Sequence, residues 1–169
     1  MDREPTKEVF LSLVLKNKGI IIKICNSYCR NKADREDLAQ EITYQLWRSG
    51  KSYDTDHTFS TWMYRVALNV AISFYRKEKK SETVIAITEN EVAIEDKNDG
   101  SYELEENINL LQQFISELKE LDKALMILYL ESKSYAEIAE ILGITETNTA
   151  TRISRIKDKL KQKFSTVNK

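Results

Sequence analysis

Residues 134–164 read SYAEIAEILGITETNTATRISRIKDKLKQKF, a pattern of two amphipathic helices that meet at Gly143. Ser134 and Glu137 have the spacing of a capping box, which starts the first helix, and Thr145 is placed to cap the second. Apolar residues recur in both helices at spacings of three and four, as a helix with one buried face requires. The stretch therefore predicts a helix-turn-helix unit whose second helix enters the major groove of duplex DNA by its N-terminal end.

Short polar and basic side chains occupy the beginning of that second helix. Such side chains reach base edges and phosphates. An ordinary helical hairpin with a solvated face is the alternative, but the succession of cap, glycine and cap favours the DNA-binding unit. The candidate duplex-binding residues are Thr147, Asn148, Thr151, Arg152, Arg155 and Lys157.

The composition of the whole chain is that of helices. Its 169 residues include one proline and four glycines, and 41% of them are hydrophobic and 31% charged. These values predict an all-α fold of one or two small domains. No apolar run approaches the roughly 20 residues that span a bilayer, and the N-terminus lacks a signal-peptide pattern. We therefore expect a cytoplasmic protein with no direct membrane insertion.

The chain offers few residues for metal binding or catalysis. Cys25 and Cys29 lie four apart in a predicted helix, too far apart for an unstrained disulfide, so we expect both to be reduced. His57, the only histidine, falls in a polar stretch away from both cysteines. No metal site or cofactor is therefore expected. An enzyme is a weak alternative because no glycine-rich phosphate loop or nucleophile with a partner base is present.

The charge is unevenly distributed, although the net charge is only −1. Basic residues follow helical patterns in 65–80 and 152–163, whereas 81–106 is acidic and poor in large apolar residues, which is typical of a linker. The pattern predicts three segments: a domain at 1–80, a flexible linker at 81–106 and a domain at 107–169.

One helix of the N-terminal domain has an apolar and a polar side. Asp34 looks like its N-cap and Gly50 its end, with Leu38, Ile42 and Leu46 as the buried stripe. A solvated surface is the ordinary explanation for the other side. Its polar residues are Asp37, Gln40, Glu41 and Gln45.

A second helix of this domain, FSTWMYRVALNVAISFYRK at 59–77, mixes aromatic and cationic residues. Core packing is the default explanation for Trp62, which has the spacing of a buried seam with Val66 and Val70. The basic end needs another explanation. Aromatic rings stack on unpaired bases while cations follow the backbone, so the mixture suits single-stranded DNA. Asn69 has the chemistry to hydrogen-bond a base edge.

In this order, the two domains and the acidic linker resemble regions 2 and 4 of extracytoplasmic-function sigma factors. Residues 34–42, with Trp47, resemble the region 2 helix that docks on the polymerase clamp. Residues 59–80 resemble the promoter-melting segment, and 135–160 resemble region 4. The resemblance implies a region 2 helical bundle and a region 4 helix-turn-helix, joined by the linker.

The resemblance implies a sigma factor that binds core RNA polymerase, directs it to promoters and promotes melting. An anti-sigma factor is implied as a further partner, and the two domains are expected to mask each other in the isolated chain. The stand-alone helix-turn-helix repressor or activator remains the alternative. The implied polymerase-binding residues are Asp37, Leu38, Gln40, Glu41 and Gln45; the implied minus-ten residues are Trp62, Tyr64, Arg65, Asn69, Arg76 and Lys77; the duplex-binding residues given above would read the minus-thirty-five element.

Three positions depart from the family pattern. Thr149 stands where valine is common, and its hydroxyl must find a hydrogen bond if it is buried. Lys119 replaces a frequent proline, and Ala150 replaces a frequent lysine. Without that lysine, minus-thirty-five affinity is expected to depend more heavily on the remaining basic residues of the helix.

Overall fold

Helices make up the fold throughout the part of the chain that the structure describes. The structure is a computed structural model, and it describes residues 6–53, 56–82 and 102–167. These ranges contain eight α-helices, one turn of 3-10 helix and no strand, so the predicted all-α fold is confirmed. The helices are α1 (Lys7–Lys16), α2 (Lys18–Tyr28), α3 (Lys32–Ser49), α4 (Phe59–Glu82), α5 (Tyr102–Glu117), α6 (Glu120–Leu130), α7 (Tyr135–Leu142) and α8 (Glu146–Val167), with the 3-10 turn at Gly50–Ser52.

Helices α1 to α4 form an N-terminal bundle, in which α3 and α4 pack together and both contact α2. The apolar stripe of α3 is buried, with Leu38, Ile42 and Leu46 almost inaccessible to solvent. From α4, Met63 and Leu68 are buried in the same core. Each such side chain contributes about 1.5–3 kcal/mol when it is fully buried, so this seam holds the bundle together.

The start of α3 differs from the prediction. Asp34 is not the N-cap: α3 begins at Lys32, and its cap is Asn31. The Asn31 side-chain oxygen accepts the backbone N–H of Asp34 at 2.7 Å, and the Asn31 amide nitrogen donates to the Asp34 carboxylate at 2.6 Å. The prediction was wrong because acidic residues are favoured in the first turn as well as at the cap.

The two cysteines are buried, and no disulfide joins them. Cys25 lies in α2 and Cys29 immediately follows it. Burial raises the pKa of the Cys25 thiol to about 11, an effect that nearby Arg35 partly offsets. A thiol with so high a pKa stays protonated at neutral pH and packs as a small apolar side chain.

Helices α5 to α8 form a C-terminal domain that contains the predicted helix-turn-helix. The Ser134 hydroxyl accepts the backbone N–H of Glu137 at 3.1 Å, and the Glu137 carboxylate accepts that of Ser134 at 2.8 Å, which completes the capping box of α7. Gly143 ends α7 with a left-handed φ of 69°, where a side chain would be strained. Thr145 then caps α8 by accepting the backbone N–H of Asn148 at 3.0 Å.

Most of the predicted linker at 81–106 lies outside the described residues. Its two ends are helical, since α4 extends to Glu82 and α5 begins at Tyr102. Among the residues that are described, none of the helices is long and apolar enough to cross a membrane.

Candidate nucleic-acid and polymerase interfaces

The beginning of α8 presents most of its predicted duplex-binding residues to solvent. Thr147, Asn148, Thr151 and Arg155 are exposed. Below them, Thr149 is completely buried, and its hydroxyl donates to the Thr145 carbonyl oxygen at 3.0 Å. The expectation that this departure from the family pattern needs a hydrogen bond is confirmed.

Two basic residues of α8 are half-buried against α6 of the same domain. The Arg152 guanidinium donates to the Asp122 carboxylate at 3.0 Å and to the Asn148 side-chain oxygen at 3.2 Å. The Lys157 ammonium lies 4.4 Å from the centre of the Tyr129 ring. Hydrogen bonding to Tyr129 raises the pKa of Lys157. Both cations are therefore held by their own domain.

Trp62 of α4 is packed inside the N-terminal bundle. Its ring centre lies 5.9 Å from that of Phe10, 5.4 Å from that of Tyr53 and 5.4 Å from that of Phe59. Only 9% of Trp62 is exposed. Core packing, the default explanation of its spacing, describes its position in this structure, since a base reaches this ring only if the cluster rearranges.

Three other predicted minus-ten residues of α4 contact the C-terminal domain. Tyr64 is buried, and desolvation and the negative charge of nearby Glu131, which belongs to that domain, raise its pKa. Arg65 donates to the Glu140 backbone carbonyl at 3.0 Å. Arg76 pairs with the Glu120 carboxylate at 3.2 Å. The remaining two candidates, Asn69 and Lys77, are exposed.

Two further contacts bring a basic side chain of the N-terminal bundle against an acid of the C-terminal domain. Lys23 pairs with Glu131. The His57 imidazole lies 2.9 Å from the Glu140 carboxylate. These acids belong to α6, to α7 and to the turn after α6 rather than to the acidic linker, and nothing in the sequence pattern singled them out. Charge complementarity between the domains is thus built from residues that lie far apart along the chain.

Lys123 is an exception, because here the C-terminal domain supplies the cation. It lies on α6, is only 2% exposed, and is a cation supplied by the C-terminal domain. Its ammonium lies 4.4 Å from the centre of the Tyr75 ring and 5.3 Å from that of the Tyr28 ring, both in the N-terminal bundle. The Tyr28 hydroxyl also donates to the backbone carbonyl of Glu120 at 2.6 Å. A desolvated cation over aromatic rings contributes about 2 kcal/mol, so Lys123 ties the domains together.

The polar side of α3 faces solvent and includes an apolar groove. Asp37, Gln40 and Glu41 are exposed and Gln45 is half-buried, whereas Leu38 is completely buried and supports this surface from within. Tyr44, which is not among the predicted site residues, is 56% exposed, and a large exposed aromatic residue on a polar face is a signal of binding. The groove is lined by Ala39, Gln40, Thr43, Tyr44 and Trp47.

Two families of known proteins match separate parts of this chain. The Sigma-70 region 2 family matches residues 13–81, and the Sigma-70 region 4 family matches 108–160. The ECF RNA polymerase sigma factor SigW of Bacillus subtilis is 30% identical over 169 residues, with 94% of this chain and 90% of SigW covered. The chain belongs to the extracytoplasmic-function sigma factors. This sigma factor therefore directs RNA polymerase to promoters, as the sequence predicts.

Another relative and two solved structures are also sigma factors or share this fold. RNA polymerase sigma factor SigV of Bacillus subtilis is 27% identical, with 90% of this chain and 89% of SigV covered. The fold is similar to that of the sigma factor RpoE in complex with the anti-sigma factor NepR from Bartonella quintana, with a TM-score of 0.71, 21% identity, and 93% and 96% of the two chains covered. It also resembles CnrH in complex with the cytosolic domain of CnrY, with a TM-score of 0.66, 17% identity, and 95% and 90% covered.

The region 2 match argues against a stand-alone helix-turn-helix repressor or activator. A stand-alone helix-turn-helix regulator explains the C-terminal domain but leaves the N-terminal bundle without a role, whereas a sigma factor uses both.

Proposed function

We propose that this sigma factor rests in a closed form, in which α6 and α7 cover part of the minus-ten surface of α4, and that it opens when it binds core polymerase. The observation that carries this proposal is the bonding of Arg65 and Arg76 to the C-terminal domain, together with the burial of Tyr64. The acceptor groups of the C-terminal domain compete with DNA for these donor side chains. Opening is therefore required before α4 binds unpaired bases.

In the open form, α4 binds the non-template strand of the minus-ten element. Asn69 and Lys77 are already exposed, and Tyr64, Arg65 and Arg76 become free when the domains separate. Trp62 acts by supporting the helix from within the aromatic cluster. Base extrusion costs a few kcal/mol, which stacking and hydrogen bonds offset.

The beginning of α8 reads the minus-thirty-five element as duplex. Its exposed polar residues suit base edges, and its cations suit phosphates. The domain layout is that of the sequence analysis, with a polymerase-binding and melting domain at 1–80, the linker at 81–106 and an upstream-element domain at 107–169.

The polar face of α3 docks on core polymerase. Asp37, Gln40, Glu41 and Gln45 supply polar contacts, the groove beside Tyr44 supplies an apolar one, and Leu38 holds the helix in place. Interfaces commonly combine aromatic anchors with a polar rim, which supports this assignment.

The proposed partners are core polymerase, promoter DNA and an anti-sigma factor. The solved RpoE and CnrH structures, which are complexes with NepR and the cytosolic domain of CnrY, support the third partner. We further propose that the protein acts in the cytoplasm, where polymerase and DNA are present, and that it is a binding subunit without catalytic activity or a cofactor.

The test is transcription in vitro from a pool of genomic promoter fragments by sigma-free core polymerase, with and without this protein. Specific initiation that depends on the protein is expected. Glu41→Lys should weaken binding to core polymerase, whereas Glu36→Lys, an exposed change elsewhere on α3, should not. Duplex binding without initiation would refute the proposed mechanism, and equal core affinity of the two variants would refute the α3 surface.

A further inference from the structure

Tyr75 of α4 has one face of its ring covered by the C-terminal domain. The Lys123 ammonium of α6 lies over this ring, 4.4 Å from its centre, and 5.3 Å from the centre of the Tyr28 ring. Tyr28 and Tyr75 belong to the N-terminal bundle, and their ring centres lie 6.2 Å apart with the planes inclined at 74°. The two rings form an aromatic corner, which Lys123 fills. Because α6 carries Lys123, the corner is uncovered when the domains separate.

Cations of α4 lie next to the aromatic corner. Arg76 directly follows Tyr75 and pairs with Glu120 of α6 at 3.2 Å, and Lys77 is exposed. In the closed form, α6 therefore offers a cation to the rings and a carboxylate to Arg76. A single strand of nucleic acid offers a base to the rings and a phosphate to Arg76, so it satisfies both groups. A cationic side chain of a partner protein would be repelled by Arg76 and Lys77 once Glu120 has left, so the charges favour DNA.

The aromatic corner shares a face of α4 with Tyr64. Positions 64 and 75 are eleven residues apart, about three full turns, so both side chains leave the helix on the same side. Both are covered from the same direction, since Tyr64 is buried near Glu131, which directly follows α6, and Tyr75 lies under Lys123. The two tyrosines lie about 16 Å apart along the helix axis, far more than the roughly 3.4 Å between stacked bases, so they would contact different bases.

We propose that Tyr75 stacks on an unpaired base of the non-template strand, separate from the base at Tyr64, and that Lys123 occupies this site in the closed form. The Tyr28 ring packs against that of Tyr75 and forms the other wall of the site. Neither Tyr75 nor Tyr28 is among the predicted minus-ten residues. This inference rests on the proposed function, in which α4 binds the non-template strand in the open form.

The experiment uses holoenzyme assembled from core polymerase and the full chain, bound to a fork-junction DNA in which the non-template strand of the minus-ten element is unpaired. The DNA is taken from a promoter that the holoenzyme uses. In a series of probes each non-template nucleotide in turn lacks its base, and fluorescence anisotropy measures the affinity for each probe. Omission of the base that stacks on Tyr75 should weaken binding about fivefold or more, the lower end of the range for one stacked base.

Four variants assign this loss of affinity to the ring. Tyr75→Leu keeps an apolar side chain but removes the ring, so omission of the same base should now weaken binding less than about twofold. Tyr75→Phe keeps the ring and should retain the full loss. Phe74→Leu makes the same change one position earlier, about 100° around α4, and should also retain it. Tyr64→Leu should remove the loss at a different nucleotide.

A crosslinking measurement covers the case in which Tyr75→Leu folds poorly. Replacement of Tyr75 by p-benzoylphenylalanine keeps an aromatic ring at the site. On irradiation of the holoenzyme bound to the same DNA, this side chain should crosslink to an unpaired base of the non-template strand. A crosslink to a polymerase subunit instead would make the aromatic corner a protein-binding site and would overturn the inference.

Two results of the affinity series would also overturn the inference. If folded Tyr75→Leu remained as sensitive as the unmodified protein to omission of every base, or if Tyr64→Leu removed the loss at the same nucleotide, Tyr75 would have no base of its own, and binding of the strand by the rest of α4 would stand. If no omitted base changed the affinity of the unmodified holoenzyme, α4 would not bind unpaired bases, and the proposed minus-ten function would fail together with the Tyr75 site.

Discussion

Helices α4 and α8 carry similar basic patterns in the sequence, yet the folded protein treats them differently. In α4, Arg65 and Arg76 are bonded to the other domain and Tyr64 is buried, whereas in α8 Arg155 is exposed and Arg152 is bonded within its own domain. Access to a DNA-binding residue therefore depends on which surface its helix turns toward the other domain. The closed form is expected to block part of the minus-ten surface and to leave the minus-thirty-five surface open.

The largest effect is expected from Lys123→Glu, which should separate the two domains and so expose α4 as the beginning of α8 is exposed. It replaces a buried cation over Tyr28 and Tyr75 by an anion close to Glu120. Burial of an uncompensated charge is strongly unfavourable, so the domains should separate. The affinity of the free chain for a single-stranded minus-ten oligonucleotide should rise roughly tenfold or more, as a change of 1–2 kcal/mol gives.

Fluorescence anisotropy measures that affinity, and circular dichroism verifies that the helices remain. Lys119→Glu is the matched control, because Lys119 is exposed beside the start of the same helix. If Lys123→Glu bound the oligonucleotide no better than the control, with its helices intact, the closed form would not limit access to α4.

Asn69→Ala tests the exposed part of the α4 surface. One well-formed contact to a base edge contributes about 1–3 kcal/mol, so open-complex formation should fall roughly tenfold while affinity for core polymerase stays the same. Permanganate footprinting measures opening. Ser73→Ala, at an exposed position one turn further along α4, is the control. Equal opening by Asn69→Ala and the unmodified protein would remove Asn69 from the minus-ten surface.

Arg155→Ala and Arg152→Ala test which arginine of α8 contacts a DNA phosphate. Arg155 is exposed, and loss of one phosphate contact should flatten the logarithmic salt slope of duplex binding by about 0.9. Arg152→Ala should also weaken binding but flatten the slope less, because Asp122 already neutralises that guanidinium. Filter binding across a salt series measures both slopes, with the remote Lys7→Ala as control. An unchanged slope for Arg155→Ala would argue against a phosphate contact at this position.

The smallest effect is expected from Thr149→Val. The variant loses the hydroxyl bond to Thr145, but the Thr145 carbonyl still accepts the backbone N–H of Thr149 at 3.0 Å, and valine fits a similar volume. The free energy of unfolding should change by no more than about 1 kcal/mol. Thermal denaturation compares it with Thr166→Val, which removes the same kind of bond at an exposed position. A loss of several kcal/mol in Thr149→Val alone would mean that its hydroxyl is essential to the packing of α8.

Features governed by neighbouring residues were predicted well. The capping box at Ser134, the turn at Gly143 and the hydrogen bond required by Thr149 all follow from groups within four residues of one another. The cap of α3 was misplaced because Asn31 and Asp34 are both residues that favour a helix start, and only their hydrogen bonds distinguish the cap from the first turn.

For the minus-ten candidates, the local pattern does not predict which part of the protein surrounds each side chain. Trp62 and Tyr64 are both buried, Trp62 among aromatic residues of its own bundle and Tyr64 beside Glu131 of the other domain. Their spacing along α4 does not distinguish these surroundings. On α3, by contrast, spacing did predict that Leu38 is buried and that the polar residues next to it are exposed.

Local patterns predict the helices, their order and the helix-turn-helix, because helical periodicity and capping depend on residues three or four apart. The motifs that these helices contain carry the resemblance to the family. The bonds that cations make across the two domains depend instead on tertiary packing. The partners of Arg76 and Arg65 lie 44 and 75 residues away along the chain, so no local pattern contains them. Such pairs form only when the packing of apolar faces has brought the two domains together, and that packing sets which DNA surface is open.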